Sequence, residues 1–269
     1  MQRFFSISLQ GASMLNRIYK SEYNLRFDHI TKDPDDDTIT VAVSLYNYEK
    51  HLLECLNSIK EQTYRNLSLV VVDDCSNKDN SVDLAVSWAE KNGGRFVRTS
   101  IVRHKYNQGL AQARNTAFSF SDSRALFVID ADNIIYPRAV EVLAPWVMDE
   151  GYAAAYTQLE FFGDTSGLGY ADYWSSEFFR ENNYVDAMAL ISRSAWQIVR
   201  GYTHLEGGWE DYDFWCKFID NGLESMFIPQ VLCRYRVHGA SMLRTDSVDN
   251  YRDLVVEMRM RHPWLIVGN

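Results

Sequence analysis

The sequence predicts an α/β fold in which a mostly parallel central sheet is flanked by helices. Apolar runs rich in β-branched residues alternate with helical patterns from residue 38 to about residue 135, and this alternation is typical of right-handed crossovers between parallel strands. The apolar runs at 67–72 and 125–129 each end in two closely spaced carboxylates. Because ligands bind at the carboxyl ends of strands in open α/β sheets, these acids predict a binding site at one edge of the sheet.

The first half of the chain is predicted to contain four strands and three helices. Strands are predicted where β-branched and aliphatic residues run together, and helices where apolar residues recur every three or four positions. In chain order, the predicted elements are a strand at 38–45, a helix around 52–59, a strand at 67–74, a helix at 81–92, a strand at 96–102, a helix from about 109 to 120 and a strand at 125–130.

The alternation becomes less regular after Pro137, a residue that suits the first turn of a helix. We expect this half to add a smaller sheet beside the first. Its predicted elements are a strand at 153–159, a loop at 163–169, an aromatic helix or loop at 170–179, a strand at 187–192, a short helix ending at Gly201, a helix at 210–221 closed by Gly222, two short strands at 225–228 and 232–236, and a helical tail from about 248 to 261.

Length and composition indicate one substantial globular core. The chain has 269 residues and a formal net charge of −9, which argues against nucleic acid as the main partner because phosphate binding needs a basic face. The four cysteines show no CxxC spacing and are expected to be free thiols in a reducing compartment. No apolar run approaches the roughly 20 residues that span a bilayer, and no convincing signal peptide is found, so we expect a cytoplasmic location.

Five short motifs follow one another along the chain. They are Ser44-Leu-Tyr46-Asn47, Val72-Asp73-Asp74, Asn107-x-Gly-Leu-Ala-x-Ala-Arg114-Asn115, Asp130-Ala131-Asp132 and Glu210-Asp211. Their order resembles that of the motifs in GT-A (Rossmann-like) glycosyltransferases of the large family 2, and the resemblance covers about Thr38 to Met242. It implies a metal-dependent transfer of a single sugar from a nucleotide-diphosphate sugar to a hydroxyl group.

The resemblance also implies a division of the chain. A GT-A domain at 38–242 would consist of a nucleotide-binding half at 38–135 and an acceptor half at 136–242. Residues 1–37 show no clear periodicity of apolar residues and end in an acidic run, so they are expected to be an appendage or a connector. Residues 243–269 are expected to form a helical tail. The protein could be part of a larger polypeptide.

The first half is expected to bind the nucleotide sugar, with UDP as the expected nucleotide. Tyr46 can stack on a planar base, and Asp74 can accept a hydrogen bond from the imide N–H of uracil. Arg114 suits contact with the base or the diphosphate, and the resemblance implies that Asp130 meets the ribose hydroxyls. An ordinary core tyrosine and a helix N-cap are the alternative interpretations of Tyr46 and Asp74. The remaining residues expected beside the nucleotide sugar are Ser44, Asn47, Ala131 and Asp132.

A divalent cation, Mn²⁺ or Mg²⁺, is expected between Asp132 and His238. Asp132 is the expected direct ligand in the Asp130-x-Asp132 motif, and the resemblance implies that a histidine after a late strand, here in Arg234-Tyr-Arg236-Val-His238, is the second. Diphosphate oxygens and water would complete an octahedral site. The alternative for His238 is an ordinary loop histidine.

Catalysis is expected at Glu210 and Asp211. The resemblance implies that Asp211 is the general base of an inverting transfer and that Glu210 orients the acceptor or the donor sugar. The alternative is a pair of acids favoured at a helix N-terminus by the helix dipole. A saccharide, lipid-linked or protein acceptor is expected to contact Gly208, Trp209 and Trp174. Further aromatic side chains that could face sugar rings, or pack in the core, are Tyr173, Tyr212 and Trp215.

Other functions compete with single-sugar inverting transfer. A retaining GT-A transferase remains open, because Gly207 to Asp213 also resembles sequences of retaining enzymes. A sugar-1-phosphate nucleotidyltransferase would need a glycine-rich loop after the first strand, and 44–50 contains no glycine. A polymer synthase is disfavoured because Gln230 to Tyr235 only faintly resembles the processive motif. A non-catalytic nucleotide-sugar-binding module is the remaining alternative.

Overall fold

The computed structural model describes residues 21–239 and 250–268, and the predicted α/β class is confirmed. In these residues the strands are β1 (Tyr23–Ile30), β2 (Ile39–Leu45), β3 (Leu67–Asp73), β4 (Arg98–His104), β5 (Ala125–Asp130), β6 (Ile134–Ile135), β7 (Ala154–Gly163), β8 (Gly167–Leu168), β9 (Ala189–Ser192) and β10 (Ser225–Val237). The helices are α1 (Glu49–Lys60), α2 (Ser81–Asn92), α3 (Leu110–Phe120), α4 (Ala139–Met148), α5 (Ser176–Phe179), α6 (Arg193–Ile198), α7 (Glu210–Asp220) and α8 (Tyr251–Arg261), with a 3₁₀ turn at Gly93–Arg95.

The strands form one sheet in the order β1-β4-β3-β2-β5-β9-β7-β10-β6, with β8 paired to β7. The central strands β4, β3, β2 and β5 run parallel. Chain connections leave in opposite directions on the two sides of the β2–β5 pair, which makes this pair the switch point where open α/β sheets bind ligands. Antiparallel β9 joins β5 to β7. The strands expected in a smaller second sheet therefore continue the first sheet.

Two apolar layers cover the two faces of the central sheet. Side chains alternate across each strand, so Val41 and Val43 of β2 belong to one layer and Ala42 to the other. The first layer includes residues of α1, α2 and α4. The second includes residues of α3, α6, α7 and α8, among them Trp215 and Phe218. Among the residues that the structure describes, no helix has the length and apolarity needed to cross a membrane.

The expected appendage contains a strand that the sequence pattern did not predict. Strand β1 lies antiparallel along β4 at the edge of the sheet. Nearly all of its side chains are exposed, so no apolar face marks it in the sequence. Main-chain hydrogen bonds to β4 define the strand, and side-chain patterning does not record them. Residues 1–20 of the expected appendage lie outside the described residues.

Strand β10 joins the two short strands that the sequence predicts at 225–228 and 232–236. Pro229 lies within it, and the register against β7 shifts between Ile228 and Val231. Proline lacks the N–H that a ladder requires, and an irregularity in the register accommodates it. The strand is therefore continuous from Ser225 to Val237 and leads directly to His238. The helical tail expected from 248 begins at Tyr251, and 248–249 lie outside the described residues.

A buried ionic cluster fastens α8 and the residues after it to α7. The carboxylate of Asp213 on α7 is fully buried and lies 2.5 Å from Nε of Arg261, 3.1 Å from Nε2 of His262 and 3.1 Å from Nζ of Lys217. Burial alone would raise the pKa of Asp213, but these three groups hold it well below its usual value. The helix that starts with Glu210 and Asp211 is thus anchored to the last described segment of the chain.

We predict that Asp213→Ala lowers the free energy of unfolding by about 3–5 kcal/mol, because removal of one partner leaves buried cationic groups without their counter-charge. Urea unfolding followed by circular dichroism measures the change. Asp253→Ala, at an exposed position of α8, serves as the control and should leave the midpoint within the error. Equal midpoints for the two variants would contradict the assigned role of the cluster.

Candidate active site

The carboxyl ends of β3, β2 and β5 are joined at one edge of the sheet. The Leu45 oxygen accepts a hydrogen bond from the backbone N–H of Asp74 at 2.8 Å, and the Ser44 oxygen accepts one from Ala131 at 3.0 Å. Ser44 and Asp130 are register partners. The structure therefore brings together the three acidic or polar strand ends that the sequence predicts as one site.

Asp74 binds the loop that leads into α3. Its Oδ1 accepts a hydrogen bond from the backbone N–H of Gln108 at 2.8 Å and lies 2.7 Å from His104 Nδ1, while Oδ2 accepts one from Gly109 at 2.8 Å. Gly109 has φ 87°, and a Cβ there would lie 2.7 Å from the His204 ring. Asp74 thus orders the loop and keeps limited acceptor capacity on Oδ2. The hydrogen bond to uracil stays a prediction.

Tyr46 and Asn47 form the turn after β2 and have different environments. Asn47 adopts a left-handed conformation with φ 57°, which asparagine tolerates better than most residues. Its Oδ1 accepts hydrogen bonds from the backbone N–H groups of Asn77 and Lys78 at 2.9 and 3.0 Å. This fastens the turn to the loop after β3. Tyr46 is 37% exposed, so its ring is accessible to a planar ligand.

Arg114 on α3 is buried and pairs with Asp130. Its Nη2 lies 3.2 and 3.0 Å from the two carboxylate oxygens of Asp130, and its guanidinium lies over the ring of Tyr202. Burial alone would lower the pKa of Arg114, but Asp130, Tyr202, Asp211 and Glu210 together raise it. Within the described residues its Nε has no hydrogen-bond partner. Arg114 therefore links the nucleotide half to the acids of the second half.

Asp132 and His238 meet although 105 residues separate them in the sequence. His238 Nε2 lies 3.0 Å from Asp132 Oδ2, and the ring of His238 packs beside those of His51 and Tyr48. Burial raises the pKa of Asp132, Asp130 raises it further, and His238 opposes the rise. The structure thus brings Asp132 and His238 together, and their shared binding of a cation stays a prediction.

Asp132 and His238 are two residues that could hold a divalent cation. A carboxylate oxygen suits Mn²⁺ and Mg²⁺, whereas an imidazole nitrogen is less typical of hard cations. In this structure the two side chains lie within hydrogen-bond distance of each other. In residues 21–239 and 250–268, no group of three or more His, Cys, Asp or Glu side chains is arranged to hold a metal, and the ligand roles of Asp132 and His238 stay a prediction.

A strained turn sets the direction of α7. Gly207, Gly208 and Trp209 have φ values of 91°, 108° and 67° in succession. Tryptophan has none of the conformational freedom of glycine, and such strain persists where the surrounding structure imposes it, often at functional sites. The turn begins α7 with Glu210 and Asp211, where the helix dipole stabilises negative charge.

Three carboxyl groups of the second half lie in the field of Arg114. Burial raises the pKa of Glu210 to about 7 and that of Asp186 to about 7, and it also raises the pKa of Asp211. Arg114 opposes all three shifts, while Asp130 reinforces those of Asp186 and Asp211, and Asp211 reinforces that of Glu210. Carboxyl groups whose pKa is shifted towards neutrality are typical of acid–base catalysis.

Asp211 is held by two hydrogen bonds and lines a cavity of about 300 Å³. Its Oδ2 accepts from Asn183 Nδ2 at 2.9 Å, and its Oδ1 accepts from the backbone N–H of Tyr212 at 2.9 Å. Two fixed donors orient the carboxylate and leave lone pairs for a further proton donor. The cavity walls also include Asp186, Trp209, Tyr212, Tyr235 and Tyr251.

The residues expected to contact an acceptor divide into two groups. Trp209 lines the cavity, and Gly208 lies in the turn beside it. Trp174 instead packs against Phe179 and Trp215, with ring centroids 4.9 and 5.9 Å apart. Trp174 therefore contributes to the aromatic core in this structure, and its contact with an acceptor stays a prediction without support from the packing.

Three residues of the site were not predicted from the sequence: Asn183, Asp186 and Arg236. Arg236 donates from Nε to the backbone oxygen of Asp132 at 2.8 Å, and its place at the end of β10, two residues before the predicted ligand His238, was a usable signal. Asp186 directly precedes the apolar run of β9, as the acids of β3 and β5 follow theirs. Asn183 carries no signal, because its role depends on a contact with distant Asp211.

Comparisons with known proteins bear on the family and the fold. The model of glycosyl transferase family 2 matches residues 40–202. An uncharacterized glycosyltransferase of Haemophilus influenzae is 27% identical over 231 residues, which are 79% of this chain and 68% of that protein.

Two solved structures resemble the chain in fold. Residues 1–349 of S. aureus TarS in complex with UDP-GlcNAc give a TM-score of 0.68 at 15% identity, covering 83% of this chain and 66% of TarS 1–349. The mannosyltransferase PcManGT from Pyrobaculum calidifontis, in complex with GDP-Man and Mn²⁺, gives 0.59 at 20% identity and covers 87% and 75%. The family match spans more than half of the chain, so this protein belongs to glycosyl transferase family 2 and has the GT-A fold.

Proposed function

We propose that the protein transfers a single sugar from a UDP-sugar to an acceptor hydroxyl with inversion of configuration, using Asp211 as general base. The observation that carries the proposal is the position of Arg114, which pairs with Asp130 at the switch point and lies in the field of Glu210 and Asp211. A donor bound at the strand ends and an acceptor bound in the cavity would then both lie close to Arg114 and its acidic neighbours.

Three observations support a nucleotide sugar as the donor. The ring of Tyr46 is 37% exposed, and this residue directly follows Leu45, whose backbone oxygen accepts a hydrogen bond from Asp74. The buried Nε of Arg114 is a donor without a partner in the described residues, and an oxygen-rich ligand would satisfy it. TarS was solved with UDP-GlcNAc, which favours UDP, whereas the GDP-Man in PcManGT makes GDP the competing nucleotide.

The transfer step follows from the surroundings of Asp211. The acceptor oxygen attacks the anomeric carbon from the face opposite the nucleotide, and its proton passes to the Asp211 carboxylate. The nucleoside diphosphate leaves with the electron pair of the broken glycosidic bond. Asn183 and the Tyr212 N–H keep the carboxylate oriented, and Glu210, buried beside it, orients acceptor or donor hydroxyls.

Asp132 and His238 would hold Mn²⁺ or Mg²⁺, which when bound stabilises the charge growing on the diphosphate leaving group. Arg236 fixes the backbone of Asp132 by donating to its oxygen. Arg236 also pairs with Glu54 on α1. These contacts hold Asp132, which follows β5, and His238, which follows β10, in fixed positions relative to each other. All four cysteines are free thiols, which agrees with the proposed cytoplasmic setting.

We predict that UDP binds more tightly than GDP or dTDP in the presence of Mn²⁺. Asp74→Ala should weaken UDP binding by about 1–3 kcal/mol, because a desolvated hydrogen bond and the order of the 108–109 loop are both lost. Isothermal calorimetry measures both effects, with Asp83→Ala on exposed α2 surface as the control. Tighter binding of GDP than of UDP would contradict the assignment of UDP as the nucleotide.

Asp132→Ala and His238→Ala should each weaken Mn²⁺-dependent UDP binding by about tenfold or more, since losing a group that only hydrogen-bonds to a metal ligand already costs roughly that factor. Calorimetry with and without Mn²⁺ separates the metal-dependent part of the affinity. His29→Ala changes an exposed histidine on β1 and should have no effect. If His238→Ala keeps the Mn²⁺ dependence intact, His238 is an ordinary loop histidine.

Asp211→Asn should lower turnover by about 10²–10⁴ while leaving donor affinity within a few fold, because the amide keeps the shape but cannot accept the proton. In the wild type, activity should fall as the pH drops through the pKa of Asp211, which burial places above its usual value. Asp253→Asn, exposed on α8, is the control.

NMR of the product's anomeric configuration completes this test. Inversion together with the loss of turnover supports the assignment of Asp211. A product with retained configuration, or an Asp211→Asn variant that turns over like the wild type, would transfer the catalytic role to Glu210 or to a retaining mechanism. Nucleotide-sugar binding without any transfer or hydrolysis would instead identify a non-catalytic binding module.

A further inference from the structure

The cavity beside Asp211 adjoins a second cavity of about 450 Å³. The two cavities share four wall residues, which are Tyr170, Glu181, Asn182 and Tyr184. We call the two adjoining cavities together the acceptor-side groove. The second cavity is lined by exposed residues such as Tyr170, so it offers space beside the cavity that Asp211 lines.

Aromatic rings are exposed along the outer part of the acceptor-side groove. Tyr170 is 71% exposed and Phe178 is 38% exposed, and both line the second cavity. Tyr184 lies between the two cavities and packs edge-on against Phe178 with ring centroids 5.7 Å apart. Large exposed apolar surfaces beside a cavity indicate a binding surface, and flat rings suit the C–H faces of pyranose rings.

The charge of the groove selects among carbohydrate ligands. Carboxyl groups of Asp186 and Asp211 line the inner cavity, and those of Asp172 and Glu181 line the outer one. Glu177 also lines the outer cavity and is paired with Arg180 at 3.5 Å. Within residues 21–239 and 250–268, the walls of both cavities contain no Lys, Arg or His. Such walls accept hydrogen bonds from hydroxyl groups and repel anions.

The size of the groove indicates a ligand longer than one sugar. Cavities of roughly 300–1,000 Å³ hold ligands of drug size, which correspond in non-hydrogen atoms to about two or three sugar units. The inner cavity alone reaches the lower end of that range, and the outer cavity extends it.

We propose that the acceptor-side groove binds an uncharged oligosaccharide, with a terminal hydroxyl at Asp211 and the following sugar units against Tyr184, Tyr170 and Phe178. This inference rests on the proposed function and adds the chemical class of the acceptor to it. The carboxyl groups of Asp172 and Glu181 accept hydrogen bonds from the outer sugar units. Binding should therefore become tighter as the oligosaccharide becomes longer.

Saturation-transfer NMR and tryptophan fluorescence titrations test the proposal on the whole chain. The probes are maltose, cellobiose and chitobiose series from one to four units, and tetragalacturonic acid as the anionic counterpart. At least one neutral series should bind at least tenfold more tightly as a tetramer than as a monomer, and tetragalacturonic acid should bind more weakly than that tetramer. No gain with length in any neutral series, or tighter binding of the anion, would overturn the proposal.

Variants locate the binding surface. Tyr170→Ala and Phe178→Ala should each weaken binding of the preferred tetramer by about fivefold or more, whereas Tyr23→Ala, 40% exposed on β1, should not change it. Thermal unfolding of each variant checks that the fold is kept. Equal tetramer affinities in all three variants would contradict the assignment of the outer groove.

Calorimetry with UDP and GDP on the same preparations distinguishes this inference from the proposed function. Nucleotide binding without length-dependent oligosaccharide binding rejects the groove and keeps the donor assignment. Length-dependent binding without nucleotide binding rejects the proposed transfer and, with it, the acceptor role of the groove.

Discussion

The site depends on the buried pairing of Arg114 with Asp130. Asp130 of β5, Asp186 before β9, and Glu210 and Asp211 of α7 lie in the field of this guanidinium, and its positive charge lowers the cost of holding these acids close together. Arg114 lies on α3, and Asp74 accepts a hydrogen bond from the loop that leads into this helix. The parallel sheet, the ordered loop and the helix thus combine to place one positive charge between the two halves of the protein.

Two of the residues proposed to bind the nucleotide sugar also hold neighbouring loops in place. Asp74 and Asn47 bind backbone N–H groups of neighbouring loops, and the same acceptor atoms are of the type that nucleotides require. The structural hydrogen bonds fix the orientation of these side chains before a ligand arrives, which reduces the entropy lost on binding. Tyr46 differs, because its ring is 37% exposed and so remains accessible.

The acceptor side is organised by α7 and by the chain on either side of it. The left-handed turn at 207–209 sets where the helix starts, and the Asp213 cluster ties it to α8. Between these anchors, Asp211 is positioned by Asn183 from the segment after α5. The proposed base Asp211, the cavity and the exposed rings of the acceptor-side groove therefore belong to separate chain segments that only packing brings together.

The sequence by itself determined the elements of the nucleotide half, the order of its motifs and the meeting of its strand-end acids, because apolar periodicity and turn chemistry are local and parallel strands share one edge. Only the tertiary structure decided that β1 joins the sheet, that β10 is continuous across Pro229, that Trp174 packs in the core and that Asn183 holds Asp211. Each of these outcomes depends on main-chain pairing or on contacts between distant segments, and a periodic pattern of side chains records neither.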